Sequence, residues 1–294
     1  MDDVNSLGRQ DGLCRQFRQH SAGIAEMSLQ PTTRPRWALS CLALVAIAQT
    51  TWMVARGEEP GAPAATQTAA SGPKPSQYAP AADLVEQAEY YIGRLSEALA
   101  DEKEFDKDMQ KRAKNDAHTL AVIALVLARH DEPNKLQAAT FLPAVRRLAD
   151  VAGDYGPAVT ALAEVKRIAA EGGPPAAEIA WQPVAPLDAL MRQVPIVNNS
   201  LRRGLDASRF KRQQKQTAGQ AATLAAIAQA AAFDLSDADD ASADNWRSLC
   251  REMRDVAGQI NSAIHAGDPA LAQTGAKRLA QNCDACHEKF RGGK

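Results

Sequence analysis

Apolar residues from position 84 onward recur every three or four residues, which is the spacing of amphipathic helices. The first stripe consists of Leu84, Ala88, Tyr91, Leu95 and Leu99. Asp83 and Glu86 are spaced as a capping box at the start of this helix. The segment 119–128 is apolar on all sides, which predicts a buried helix, and two more helices are predicted over 136–152 and 158–170. A Gly-Gly-Pro-Pro stretch ends this pattern.

The second half of the chain predicts four helices in the same way. Its first stripe consists of Leu187, Leu190, Val194, Val197, Leu201 and Leu205. Further helices are predicted over 209–233 and from Asn245 onward. The last helix has a strong start at Asp268-Pro269, because Asp is a good N-cap and Pro is favoured at the first helical position.

The two halves also match each other, at a separation of about 105 positions. Leu84–Gln87 corresponds to Leu190–Gln193, and further matches follow in the same order along the chain. Matches that keep their order indicate an internal repeat. The sequence therefore predicts an all-α fold of two tandem four-helix bundles, over residues 83–173 and 184–294.

The first eighty residues have a different character. Residues 37–55 carry no charge and follow a positive Arg-Pro-Arg stretch, so residues 1–56 are predicted to contain a signal peptide or an uncleaved membrane anchor. Residues 57–82 are rich in Ala, Pro, Gly, Ser and Thr, which predicts a flexible linker. We therefore expect export to the periplasm or another extracytoplasmic space, with anchoring to the inner membrane through residues 37–55 as one alternative.

Composition supports helices and narrows the function. Apolar residues make up 45% of the chain and aromatic residues only 5%, and Ala, the best helix former, dominates the apolar set. The formal net charge of −1 gives no overall attraction for nucleic acid. The sequence shows no nucleophile triad, paired carboxylates or phosphate-binding loop, so we do not expect an enzyme.

The most specific candidate for a functional site is the motif Cys283-x-x-Cys286-His287. It has the sequence of a c-type haem attachment site. On a helix, the 3.6-residue turn brings both thiols and the imidazole to one face. A zinc site would need further ligands, and no second cysteine pair exists. A redox dithiol would be expected beside a βαβ pattern, which is absent. The corresponding positions of the first half, beginning at Gly172, carry no such residues, so we expect one haem c per chain.

The residues around this motif resemble a known family. Phe290 and Arg291 follow the motif, Arg192-Gln193 lies on the first helix of the second half, and Trp246 opens the third. In these features residues 186–294 resemble the class II c-type cytochromes, the cytochrome c′ group. The resemblance implies an exported four-helix bundle with covalent haem and with His287 as the axial ligand of the iron. The cofactor-binding residues that it implies are Cys283, Cys286, His287, Arg192, Gln193, Ile196 and Arg291.

The resemblance places Ile196 at the open face of the haem. Isoleucine cannot bind iron, so five-coordinate iron with an open distal site is implied. Pro195 departs from the family pattern, because a proline inside a helix frees the carbonyl of Met191 and kinks the chain. Met191 is therefore the alternative to Ile196, either as a second iron ligand or as an ordinary core residue.

The resemblance implies one-electron transfer with a redox partner protein that the sequence does not identify. Binding or sensing of NO or CO at an open haem face remains one alternative, and a haemless helical scaffold remains another. The family's bundles are often dimers, so we expect either a homodimer or a first bundle that replaces the second subunit. A basic surface is predicted to meet the acidic region 97–108 or an acidic partner, or to be a plain solvated face. It comprises Arg202, Arg203, Arg209, Lys211, Arg212 and Lys215.

Overall fold

The computed structural model describes residues 73–175, 177 and 179–291. These residues form α-helices joined by short turns, and they include no β-strand, so the predicted all-α class is confirmed. The helices are α1 (Ala81–Ala98), α2 (Lys107–Ala128), α3 (Phe141–Val151), α4 (Tyr155–Glu171), α5 (Leu187–Gly204), α6 (Gln214–Ala231), α7 (Ala243–His265) and α8 (Pro269–Phe290). The predicted signal or anchor segment lies outside the described residues, as does most of the linker. None of the described helices has the length and apolar character needed to cross a membrane.

Capping explains where several helices begin. The Asp268 carboxylate accepts a hydrogen bond from the amide of Leu271 at 2.9 Å, and Pro269 is the first residue of α8, so the predicted start is confirmed. Asp106 caps α2 in the same way through the amide of Met109. The predicted capping box of α1 is wrong, because α1 begins at Ala81 without a side-chain cap. Asp83 is instead buried and bonded to α7, as described below.

The helix predicted over 209–233 begins five residues later, at Gln214. Residues 206–212 form consecutive turns in its place. The Asp206 carboxylate accepts bonds from the backbone amide of Ser208 at 2.9 Å and from its hydroxyl at 2.5 Å. Side chains of this type compete with the helix for backbone donors, which favours a turn at this point.

The eight helices pack in two sequential sets within one compact unit. In the first helix set, α1 packs on α2, α2 on α3 and α3 on α4, and α1 also contacts α4. In the second helix set, α5 packs on α6, α6 on α7 and α7 on α8. The two sets meet through α1 and α2 on one side and α5 and α6 on the other. Because α2 and α6 are covered from both sides, their leucines and isoleucines are fully buried.

Buried polar contacts join the two helix sets. Asp83 of α1 accepts bonds from the Asn261 amide at 2.5 Å and from the His265 ring at 2.8 Å. Thr223 of α6 donates to Gln87 at 3.3 Å. Buried polar groups need such partners, because an unpaired one loses its bonds to water without compensation.

Among the described residues, no ion pair joins the predicted basic surface to the acidic region 97–108, and the basic surface reaches the first helix set through a single ion pair. Lys215 lies 3.1 Å from Glu86, which is not part of the predicted acidic region. The arginines of the basic surface are exposed around the turn between α5 and α6, where Arg202, Arg203 and Arg209 line a shallow depression. That part of the surface remains open for a partner.

Candidate cofactor site

A cavity of about 350 Å³ lies in the second helix set, between α5 and α8. Helices α5 and α8 do not pack closely on each other, so a space remains between the first and last helices of the set. Its volume falls in the range of ordinary small-molecule sites. Most of its lining is apolar and is contributed by all four helices of the second set.

One wall of the cavity carries the complete attachment motif. Cys283, Cys286 and His287 all line it, from the last two turns of α8. Both thiols are unpaired and half-buried, whereas His287 remains exposed. Burial raises the pKa of both thiols, and neighbouring charges (Asp284 for the first cysteine, the first cysteine for the second) add to that effect. Both groups are therefore protonated thiols at neutral pH.

An aromatic pair holds the end of α8 that forms this wall. The rings of Trp246 and Phe290 meet edge to face, with centroids 5.1 Å apart. The indole nitrogen of Trp246 donates to the carbonyl of Ala231 at 2.8 Å, so its polar atom is satisfied although the ring is buried. Asn282 is fixed by a bond from its amide to the carbonyl of Leu249 at 3.2 Å. The end of α8 is thus held against α6 and α7.

Leu249, Cys250 and Met253 of α7 line the cavity but are not predicted as site residues from the sequence. Cys250 has the character of a small buried residue, and it is buried, but it also faces the cavity. Burial and the nearby Cys286 raise its pKa to about 12, so it is an unreactive thiol. Met253, one turn further along α7, also lines the cavity. The spacing from Trp246 to Cys250 and Met253 is that of one helix face, which is the signal that could have identified them.

The opposite wall comes from the first half of α5, where Met191, Val194 and Pro195 face the cavity. The helix continues through Pro195. Arg192 also lines the cavity and is paired with Asp188, one turn earlier, at 2.7 Å. Lining residues at positions 188, 191 and 195 define one face of the helix.

Two residues that the resemblance assigns to the cofactor do not lie at the cavity. Ile196 is 49% exposed and is not part of the lining. Gln193 is buried against the first helix set, where its amide donates to the Tyr91 hydroxyl at 3.2 Å. At about 100° per residue, Gln193 lies almost opposite the cavity face of α5, and Ile196 lies about a quarter turn from it. The structure therefore groups Arg192 and Arg291 with the motif, and leaves Gln193 and Ile196 outside.

The residues present fit a covalently held haem. Two thiols and an imidazole lie on one side of an apolar cavity, and two arginines that can pair with carboxylates line the same cavity. The described residues contain no group of three or more His, Cys, Asp or Glu side chains placed to hold a bare metal ion. No protein-family model, curated protein sequence or solved structure matches this chain.

Proposed function

We propose that the protein is an exported c-type cytochrome with one haem, held in the second of two tandem four-helix bundles. The observation that carries this proposal is the common orientation of Cys283, Cys286 and His287 toward one apolar cavity. A solvated helix end with the same three residues by chance would have no cavity beside it. The first helix set carries no such motif, so a single haem per chain is proposed.

Each residue of the site has a proposed role. The thiols of Cys283 and Cys286 would each add across one vinyl group of the porphyrin, forming two thioether bonds. His287 would bind the iron through a ring nitrogen. Arg192 and Arg291 would pair with the propionates. The haem would supply one-electron chemistry between Fe(III) and Fe(II), while the surrounding apolar side chains exclude water from it.

Capture of a diatomic gas is the second candidate function. It is favoured by the wall that α5 presents, because Val194 and Pro195 cannot bind iron and Met191 is the one side chain of these three that can. If Met191 only fills space, the iron keeps an open position for CO or NO. Met191→Ala separates the two cases. A high-spin state that the substitution leaves unchanged supports an open iron, and a conversion from low spin to high spin supports ligation by Met191.

Covalent haem is the first property to test. The full chain would be produced in a bacterial host that matures c-type cytochromes, and haem that survives denaturation would be measured as its pyridine haemochrome. We expect one haem per wild-type chain and none in the double variant Cys283→Ser, Cys286→Ser. Cys250→Ser is the matched control, since it removes a thiol from the same cavity but outside the motif, and we expect it to keep the covalent haem.

Two results would contradict the proposal. Wild-type protein without covalent haem would favour a haemless scaffold. Equal haem content in all three proteins would show that the motif does not attach it.

A further inference from the structure

Helix α5 separates the cavity from the first helix set. Its cavity face carries Met191 and Arg192, and its opposite face carries the buried Gln193. Any rotation of α5 about its axis would therefore change both faces together. What holds Gln193 also determines which side chains α5 presents to the cavity.

Gln193 is held by two residues of the first helix set. Its amide nitrogen donates to the hydroxyl of Tyr91 at 3.2 Å and to the Asp116 carboxylate at 3.4 Å. That carboxylate is itself fixed, because Arg94 binds its two oxygens at 2.9 and 3.1 Å. Gln193 is only 2% exposed, so no water can replace these partners.

Helix α2, which carries Asp116, also packs along α5. His118 lies two residues after Asp116 on α2, and its Nδ1 atom is buried without a hydrogen-bond partner among the described residues.

We propose that the haemless helix set has a positioning role in the haem site. Tyr91 and Asp116 hold Gln193 and thereby set the rotation of α5 that presents Met191 to the haem. That Met191 faces a haem rests on the proposed function. That Tyr91 and Asp116 set the orientation of Met191, through Gln193, does not. The first helix set is then part of the site, although it binds no cofactor itself.

The test compares Gln193→Leu and Tyr91→Phe with Thr223→Val. Gln193→Leu removes both hydrogen bonds of the Gln193 amide, whereas Tyr91→Phe removes only the bond to the Tyr91 hydroxyl. The control removes the 3.3 Å bond between Thr223 and Gln87, which joins the same two helix sets but does not involve α5. Carbon-13 methyl spectra of methionine would be recorded on the full chain, in the diamagnetic ferrous CO form where haem is bound. The chain has six methionines, so the spectrum is simple.

We expect the Met191 methyl signal to move or broaden in both test variants, while the Met253 signal stays in place and the control changes neither. In haem-loaded protein, the rate of CO association should change by about 2- to 30-fold in the test variants. An unmoved Met191 signal in folded Gln193→Leu, which loses both bonds, would overturn the positioning role whether or not haem is bound. A moved Met191 signal with an unchanged rate of CO association would show that the first helix set positions Met191. It would contradict an effect of that set on the haem. Absence of haem from every protein would instead count against the proposed function.

Discussion

The last helices of the two helix sets differ at the residues where the Cys-x-x-Cys-His motif begins. Helix α4 has 17 residues and stops at Glu171. Helix α8 has 22 residues, and its additional length carries the motif. The stop in α4 is made by Gly172, which has φ 68° and ψ −154° and donates its amide to the carbonyl of Ile168 at 2.9 Å. Residues other than glycine avoid this conformation.

The two helix sets also differ in the packing of the first helix against the last. Helix α1 packs on α4, and Lys166 of α4 donates to the hydroxyl of Ser96 at 3.4 Å. Helices α5 and α8 leave a cavity in the corresponding place. The first set thus has a short last helix that packs on its first helix, whereas the second set has a longer last helix beside a cavity. These two local differences are what the proposed function uses to distinguish a scaffold from a cofactor site.

Core packing in the two helix sets can be compared at one matched pair of leucines. Leu120 of α2 and Leu224 of α6 occupy matching positions in the predicted repeat, where both follow a Thr and precede an Ala, and both are fully buried. We expect Leu120→Ala and Leu224→Ala each to lower the free energy of unfolding by about 2–5 kcal/mol, through lost burial and a remaining cavity. Urea unfolding monitored by circular dichroism measures this. The exposed Leu271 (57%) is the control, and Leu271→Ala should change stability by less than about 0.5 kcal/mol.

The same measurement shows whether the sets unfold together. The buried bonds between them predict one transition in both leucine variants. A separate early transition in one variant would show that its helix set is an independent unit.

A smaller effect is expected at the stop of α4. Gly172→Ala should lower the free energy of unfolding by about 1–3 kcal/mol, because alanine is strained in that backbone conformation. Gly93, inside α1, is the matched control. No atom of the described residues outside its own helix backbone lies within 4 Å of the place that an added methyl group would take, so Gly93→Ala should stabilise by about 0.5–1 kcal/mol. Equal signs for the two variants, both measured by urea unfolding, would contradict the assigned role of Gly172.

The weakest effect concerns the contact between α2 and α5. Burial lowers the pKa of His118 from its ordinary value of 6.5, and Arg192 and Lys114 add to this while Asp150 and Asp188 oppose it. The unfolded chain therefore binds a proton at a higher pH than the folded chain, so stability should fall as the pH decreases below about 6.5. Chemical unfolding of wild type and His118→Gln at several pH values checks this. A slope that is identical in both proteins would rule out His118 as its source.

Local sequence signals predict much of the fold. The start of α8 at Asp268-Pro269 can be predicted from the neighbouring residues alone. The same is true of the position of the Cys-x-x-Cys-His motif on a helix. Such signals fail near Asp206. The sequence pattern predicts a helix over 209–233, but it does not show that the residues before Gln214 form turns instead.

Contacts between distant parts of the chain cannot be predicted in this way. Asp83 has the position of a helix cap relative to its neighbours, but its partners Asn261 and His265 lie in another helix set. The Arg-Gln pair resembles a family motif and so places Gln193 at the haem, whereas Tyr91 and Asp116 bind it on the other side of α5. Helical spacing from Met191 would have favoured Pro195 over Ile196, since only the former shares its face.

The burial of Trp246 gives the site an optical readout. Its indole lines the cavity and is fixed by one hydrogen bond and one aromatic contact. An excited indole loses its energy to a porphyrin at such short range, so filling of the cavity would extinguish the Trp246 emission. Trp181, stacked on Phe233 at 5.8 Å and covered by the Arg129 guanidinium, is the other described tryptophan, and energy transfer to a porphyrin is not confined to residues that line the cavity. Maturation of the protein could therefore be followed by light alone, as a loss of tryptophan emission.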